Sequence, residues 1–433
     1  MKILFLITFF SLRGISVGSV TLSAEETTLS SQNTLIERQH QLGFIVVTPQ
    51  GPQDGGDFGP NTPGTNTSGL QEAFDLAKRT TQDVYIVGGN LTHGENQGVV
   101  YFLDETLRIP WMQDFRIDGG EYVIQYRPTH GDAITIDSAM SCNYKFGIIS
   151  SNSDGPVFRI KPASEGPDRF QVFTTTQIHI NALVGGGGAW LGGEAFNNEL
   201  DQRHDWKGIG LLFDGSTGSI NDNKFTVMEI VGCDTAMLLK GRCSNNWIDA
   251  PFLHLSRTSL QLGTADDHEF VTHNRIRAAM DSQGIAKATG ASIFGSGNIL
   301  ELTSAQTSPG RDLVWEAPAQ ENLVLTSRLN NGITNNALKP TNRVVAAKSA
   351  GFTVATPNIP LPGETITNRE STTIEIMITK PGQITSWTLT DTEGESLIFN
   401  TTWQAGQSIR LAPGESLTLQ YQQKPDWKWR SNL

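Results

Sequence analysis

Three cations, a tryptophan and an aspartate fall into register when the middle of the chain is aligned on its asparagines. The triplets Asn223-Lys224-Phe225, Asn246-Trp247-Ile248, Asn274-Arg275-Ile276 and Asn298-Ile299-Leu300 recur at spacings of 23, 28 and 24 residues. Where each Asn opens a strand, alternate side chains point to opposite faces. With Phe225, Val227, Ile248, Ala250 and Ile276 inward, Lys224, Trp247 and Arg275 form one outward row and Thr226, Asp249 and Arg277 the next. Glu229 and His254 lie further along the same strands. Such a face suits a polysaccharide: an indole stacks on a sugar ring, and cations meet carboxylates or sulfates. The plainer alternative is a solvated surface whose ion pairs contribute little.

Two chemistries could run there. β-Elimination on a uronic-acid polymer needs a cation on the carboxylate and a base for the α-proton. Arg275, Arg277, Lys224 and Lys207 could supply the cation, and His254, His204 or a tyrosine the base, while Asp249, Asp266 and Asp267 could hold Ca²⁺ through oxygen ligands. Inverting hydrolysis instead needs two carboxyls about 6.5 to 9.5 Å apart. Asp266-Asp267-His268, with His273 close by, is the densest titratable group, and a solvated polar loop is its plainer explanation. The candidate catalytic set is therefore Arg277, Arg275, Lys224, Asp249, His254, Asp266, Asp267 and His268. Trp247, Glu229, Arg203, His204, Trp206 and Lys207 are the candidate substrate contacts, the last four from a long excursion over residues 185–207. No metal site is assigned. Zinc signatures, phosphate loops and dinucleotide fingerprints are absent from the sequence, and Cys142, Cys233 and Cys243 have no metal-ligand spacing. They are expected as buried small residues or one optional disulfide.

The elements that must hold these residues follow from a second, interleaved ladder. Leu211-Leu212-Phe213-Asp214-Gly215, Met237-Leu238-Leu239-Lys240-Gly241 and Leu260-Gln261-Leu262-Gly263 put a short apolar strand ending in Gly into each interval. Two short strands per period of 20 to 28 residues describes a solenoid of stacked β-coils. Ile134 and Ile136 recur as Phe158 and Ile160, and Ile178 and Ile180 are read as continuing that series. Before the repeats, Leu70, Ala73, Phe74 and Ala77 have the spacing of one helix face behind the cap residues Thr67-Ser68. After residue 351 the pattern becomes alternating strands with turns at Lys380-Pro381-Gly382 and Ala412-Pro413-Gly414, a small β-sandwich. The expected organisation is a signal peptide at 1–24, a polar leader at 25–50, a β-helix at 51–345 and the sandwich at 351–433. A charge of −12 in 433 residues argues against nucleic-acid or anionic-membrane binding. The N-terminal apolar stretch implies a secreted, periplasmic or cell-surface protein, and nothing later is apolar for long enough to span a bilayer.

Asp57-Phe58-Gly59, then the helix, then Val99-Val100-Tyr101-Phe102, then Leu107-Arg108-Ile109-Pro110 and Phe115-Arg116-Ile117-Asp118-Gly119 resemble the opening of the pectate-lyase-like, right-handed parallel β-helix superfamily. The resemblance covers roughly residues 50–340. It departs where Leu103-Asp104-Glu105 replaces the usual Pro-x-Gly-x-Tyr turn and where residues 90–97 look inserted. It implies an all-β solenoid with a capping helix, acting on or binding an extracellular polysaccharide, often as a trimer. The cationic row tilts the expectation to a lyase. A glycoside hydrolase and a non-catalytic adhesin or tailspike-like glycan binder are the alternatives.

Overall fold

The computed structural model of the chain describes residues 24–89, 99–163, 171–186, 206–282, 285, 287–304, 310–327, 329, 331–346 and 354–431. The expected signal segment, except its last residue, lies outside them, as do the insert at 90–97, residues 187–205 with Arg203 and His204, and residues 351–353, where the sandwich pattern begins.

Two large parallel sheets, each of thirteen strands, dominate the described residues. From Gln177–Val184 onward the chain alternates between them. Lys224–Val231, Trp247–His254, Arg275–Asp281, Ile299–Ser304, Leu323–Thr326 and Arg343–Ala346 add to the first sheet; Cys233–Ser244, Thr258–Leu262, Thr289–Ile293, Arg311–Trp315 and Ile333–Asn335 add to the second. This arrangement is compatible with a parallel β-helix. Apolar residues at every second position explain it, because each strand then buries one face. Inward rows run Ile117, Tyr144, Ile178, Phe225, Ile248, Ile276, Leu300, Val324 and Val344 on the first sheet. On the second they run Leu107, Ile134, Phe158, Leu211, Met237, Leu260, Ala291, Leu313 and Ile333. Both rows meet in one core. Ile178 and Ile180 therefore do not continue the Ile134, Phe158 series, which passes instead to Leu211 and Phe213. They stack between Tyr144, Phe146 and Phe225, Val227 on the first sheet. Both sheets carry the same apolar-x-apolar signature, so the pattern does not say which sheet a strand joins.

The corner leading into the first sheet is built one way again and again. Asp222, Asn245, His273, Gly297 and Glu321 all take left-handed φ values, between 55° and 66°, and each is followed by a buried Asn. That bend turns the chain sharply and points the next side chain along the stack. Asn223 Nδ2 donates to Asn246 Oδ1 at 2.9 Å, Asn246 to Asn274 at 3.0 Å, Asn274 to Asn298 at 3.0 Å, Asn298 to Asn322 at 3.0 Å and Asn322 to Asn342 at 2.9 Å. The ladder is thus two rungs longer than the sequence pattern suggested.

At the N-terminal end, α2 (Leu70–Thr80) buries Leu70, Ala73, Phe74 and Ala77 as expected. Its start is not a simple side-chain cap. Gly69, at φ 80°, is the cap residue, and a Cβ there would fall 2.3 Å from the Gly59 nitrogen. Thr67 Oγ1 still accepts from the Gln71 amide, at 3.1 Å. The segment read as a polar leader contains α1 (Ala24–Gln41), and Ile36 of this helix is buried against Val46 and Val87. Beyond residue 354, two antiparallel sheets of four and three strands share a separate core that holds Trp387, Trp403, Trp427 and Trp429. The terminal Trp-Lys-Trp-Arg run is itself a strand, Asp426–Ser431, paired to Ile374–Lys380. All three cysteines are buried and free.

Candidate functional site

Register on the first sheet decides which side chains share a surface. Lys224, Trp247, Arg275, Ile299 and Leu323 are direct neighbours in one outward row; Thr226, Asp249, Arg277, Glu301 and Leu325 are neighbours in the next. The strands stand about 4.8 Å apart, so consecutive members of a row touch. Trp247 is half-exposed, at 50%. It cannot turn inward because Ile248 and the Asn246 rung on either side of it are fully engaged.

The cations of these rows are partnered. The Arg275 guanidinium carbon lies 4.5 Å over the centre of the Trp247 ring, and its Nη2 reaches Glu301 at 2.7 Å. Arg277 grips Asp249 with two bonds, the Nε one at 2.9 Å, and this carboxylate holds the guanidinium above its ordinary pKa. Each contact is solvent-exposed and contributes little to stability, as surface pairs do. Their larger effect is geometric: two long side chains and an indole stand in fixed orientations. Lys224 makes no ion pair among the described residues. An open cleft of about 510 Å³ runs over Lys224, Trp247, Asp249, Arg275, Arg277 and Glu301. No protein-family model matches the chain, and no curated protein matches it. What the cleft does must therefore be argued from its own chemistry.

Of the sequence candidates, Lys224, Trp247, Asp249, Arg275 and Arg277 come together in this cleft. Glu301 was missed. Its signal was present, because it stands three residues beyond Asn298, just as Asp249 and Arg277 stand beyond Asn246 and Asn274. Glu229 and His254 form a second group on the same sheet, with His254 Nδ1 3.2 Å from Glu229 Oε1. That hydrogen bond raises the His254 pKa, partial burial opposes it, and the charges of Glu229 and Asp281 reinforce it. Phe252, also half-exposed, packs edge-on to the imidazole. His254 is seven residues from Trp247 along one strand, a separation of about 23 Å at 3.3 Å per residue.

The remaining candidates lie elsewhere. Asp267 accepts from Ser216 Oγ at 3.2 Å, and His268 turns back onto the Thr264 and Ala265 carbonyls, so the Asp266-Asp267-His268 loop belongs to the border of the second sheet. Lys207 opens the Lys207–Asn221 strand of that sheet, and Trp206 lies under Arg257, 6.0 Å from its guanidinium carbon. Arg203 and His204 fall outside the described residues. Asp249 is thus separated from Asp266 and Asp267, and the three do not form the Ca²⁺ site their chemistry would allow. Among the described residues no group of three or more His, Cys, Asp or Glu is disposed to hold a metal. Nor is any described helix long and apolar enough to cross a membrane.

Proposed function

We propose that the chain is an extracellular right-handed parallel β-helix of the pectate-lyase-like kind, followed by a small β-sandwich, and that its Trp247 cleft binds an acidic polysaccharide. The observation that carries this reading is the Trp247 indole, held half-exposed in an open cleft between Lys224 and two arginines. One face of the ring is covered by Arg275. Stacking a sugar against the exposed part removes apolar area from water without moving any backbone. Lys224 and the outward N–H groups of the arginines meet the carboxylates of a uronic acid, in the bidentate geometry that guanidinium favours.

Binding is better supported than cleavage. A base must reach the α-proton at hydrogen-bond distance, about 3 Å, and His254 is about 23 Å along the strand from Trp247. Elimination therefore fits only a polymer that also passes over the Glu229–His254 pair. Asp249 and Glu301 stand two strands apart, near the separation inverting hydrolases use. Each is already occupied by a guanidinium, which leaves neither free to protonate a leaving group.

The test is to incubate the purified chain with polygalacturonate, alginate, hyaluronate and neutral glycans, with and without Ca²⁺. Retention, ultraviolet absorbance of unsaturated uronate, and new reducing ends are followed together. Retention on acidic polymers without either product is the expected result, and a rise in ultraviolet absorbance would establish a lyase. Failure to bind any acidic polymer would rule the reading out.

A further inference from the structure

The outer face of the first sheet changes character along the stack. The row of Lys224, Trp247 and Arg275 continues into Ile299 and Leu323 before ending at Arg343, and the row of Asp249 and Arg277 passes through Glu301 into Leu325 and Val345. Leu325 and Val345, neighbours on adjacent strands, are 37% and 56% exposed, an apolar pair of the kind found at binding surfaces. A second cleft, about 570 Å³, covers this end and shares Arg277 and Glu301 with the Trp247 cleft. Two clefts with a common wall form one groove running across the strands, charged and aromatic at one end and apolar at the other.

The apolar end has a particular composition. Pro251, Ala279, Leu325 and Val345 supply carbon surface, and the Thr303 and Ser327 hydroxyls stand 3.5 Å apart among them. Apart from the shared Arg277 and Glu301, no residue lining it is charged. An unsubstituted uronic acid has nothing to bury on such a surface. An ester does: its methyl fills the carbon-lined part, and its carbonyl accepts from one of the two hydroxyls.

Resting on the proposed glycan-binding face, we infer that the ligand is an O-acylated acidic polysaccharide, with acyl esters seated between Leu325, Val345 and the Thr303–Ser327 pair. The Leu325 strand lies three strand spacings from Trp247, about 14 Å, so the acyl group and the stacked sugar belong to different residues of one polymer chain. Each acyl methyl buried strengthens binding about fourfold.

Binding of the full chain to polygalacturonate, alginate and hyaluronate, each native and chemically O-acetylated, tests this. The wild type is expected to prefer an acetylated form about fourfold or more. Val345→Asp and Thr303→Val should each reduce that preference, whereas Trp247→Ala should weaken both forms. Equal affinity for the two forms, or a preference that Val345→Asp leaves unchanged, overturns the inference but not the binding reading. No binding of any polymer overturns both. A wild-type oligomer that Val345→Asp dissociates would show that a second copy of the chain covers this apolar end, and would overturn the inference too.

Discussion

Trp247 and Arg275 constrain each other, and that pairing sets what each can do. The guanidinium lies over one face of the indole while its Nη2 is held by Glu301, so the ring is presented in a fixed orientation. Removing Trp247 should therefore cost binding far more than folding. Trp247→Ala is expected to weaken binding to an acidic polymer about tenfold, the range of one lost aromatic contact, with an unfolding midpoint close to that of the wild type. Equal affinity in a titration of the two proteins would contradict this. His254 yields a pH prediction. Its pKa is raised by the hydrogen bond to Glu229, so the contribution to stability is complete below the ordinary histidine value, about 6.5, and is lost as pH rises through the raised folded value. Glu229→Gln should lower the His254 pKa in an NMR titration and remove that part of the stability profile. A pKa that stays in place in the variant would show that the bond to Glu229 is not its cause.

At the scale of the element, the asparagine ladder is the most demanding part of the first sheet. Asn274 Oδ1 accepts from the Asn246 amide at 3.1 Å and from its Nδ2 at 3.0 Å, while Asn274 Nδ2 donates to the Cys243 carbonyl at 2.9 Å and to Asn298. Asn274→Ala would leave the Asn246 N–H without its acceptor, take one of two bonds from Asn246 Nδ2, which keeps the Ile220 carbonyl, remove the side-chain donor to the Cys243 carbonyl, and leave Asn298 Oδ1 with the Asn274 backbone N–H alone. At about 1–3 kcal/mol for each orphaned group, the expected loss is about 3–5 kcal/mol in denaturant unfolding. Arg257→Ala, which removes an exposed pair with Asp234, should cost less than about 1 kcal/mol. Similar losses in the two variants would contradict the ladder's role. The ladder was legible in the sequence because Asn is followed by an outward and then an inward residue each time, and period two then fixed both faces. Asn322 and Asn342 repeat the pattern but were missed, the last spacing having shortened to 20 residues. Pairing was not legible. A row shows who is adjacent, yet side-chain reach decides that Arg275 takes Glu301 and Trp247 while Arg277 takes Asp249. Nor could spacing fix the Asp266-Asp267-His268 loop in space, since nothing in a loop sequence says over which sheet it folds.

For the molecule as a whole, two separate cores are the governing fact. The parallel sheets enclose one apolar cluster from Ile45 to Val344, and the C-terminal antiparallel sheets enclose another from Ile374 to Trp429. Cores that share no buried residue unfold independently unless their interface is large. Calorimetry of the full chain is expected to show two transitions, and Asn274→Ala should move only the one belonging to the parallel sheets. A single transition that shifts as a unit would mean that the two parts are thermodynamically coupled. Net charge bears on binding at this scale too. At −12 the chain repels an anionic polymer at long range, so attraction must come from groups within a Debye length, about 8–10 Å, of the cleft. The measurement that bears most directly on the central claim is a titration of the wild type, Trp247→Ala and Lys240→Ala with acidic polysaccharides, Lys240 being a cation of the other sheet paired with Asp214. Saturable binding that Trp247→Ala weakens about tenfold and Lys240→Ala leaves unchanged is the predicted result. Binding affected equally by both variants, or by neither, would contradict a glycan site at Trp247.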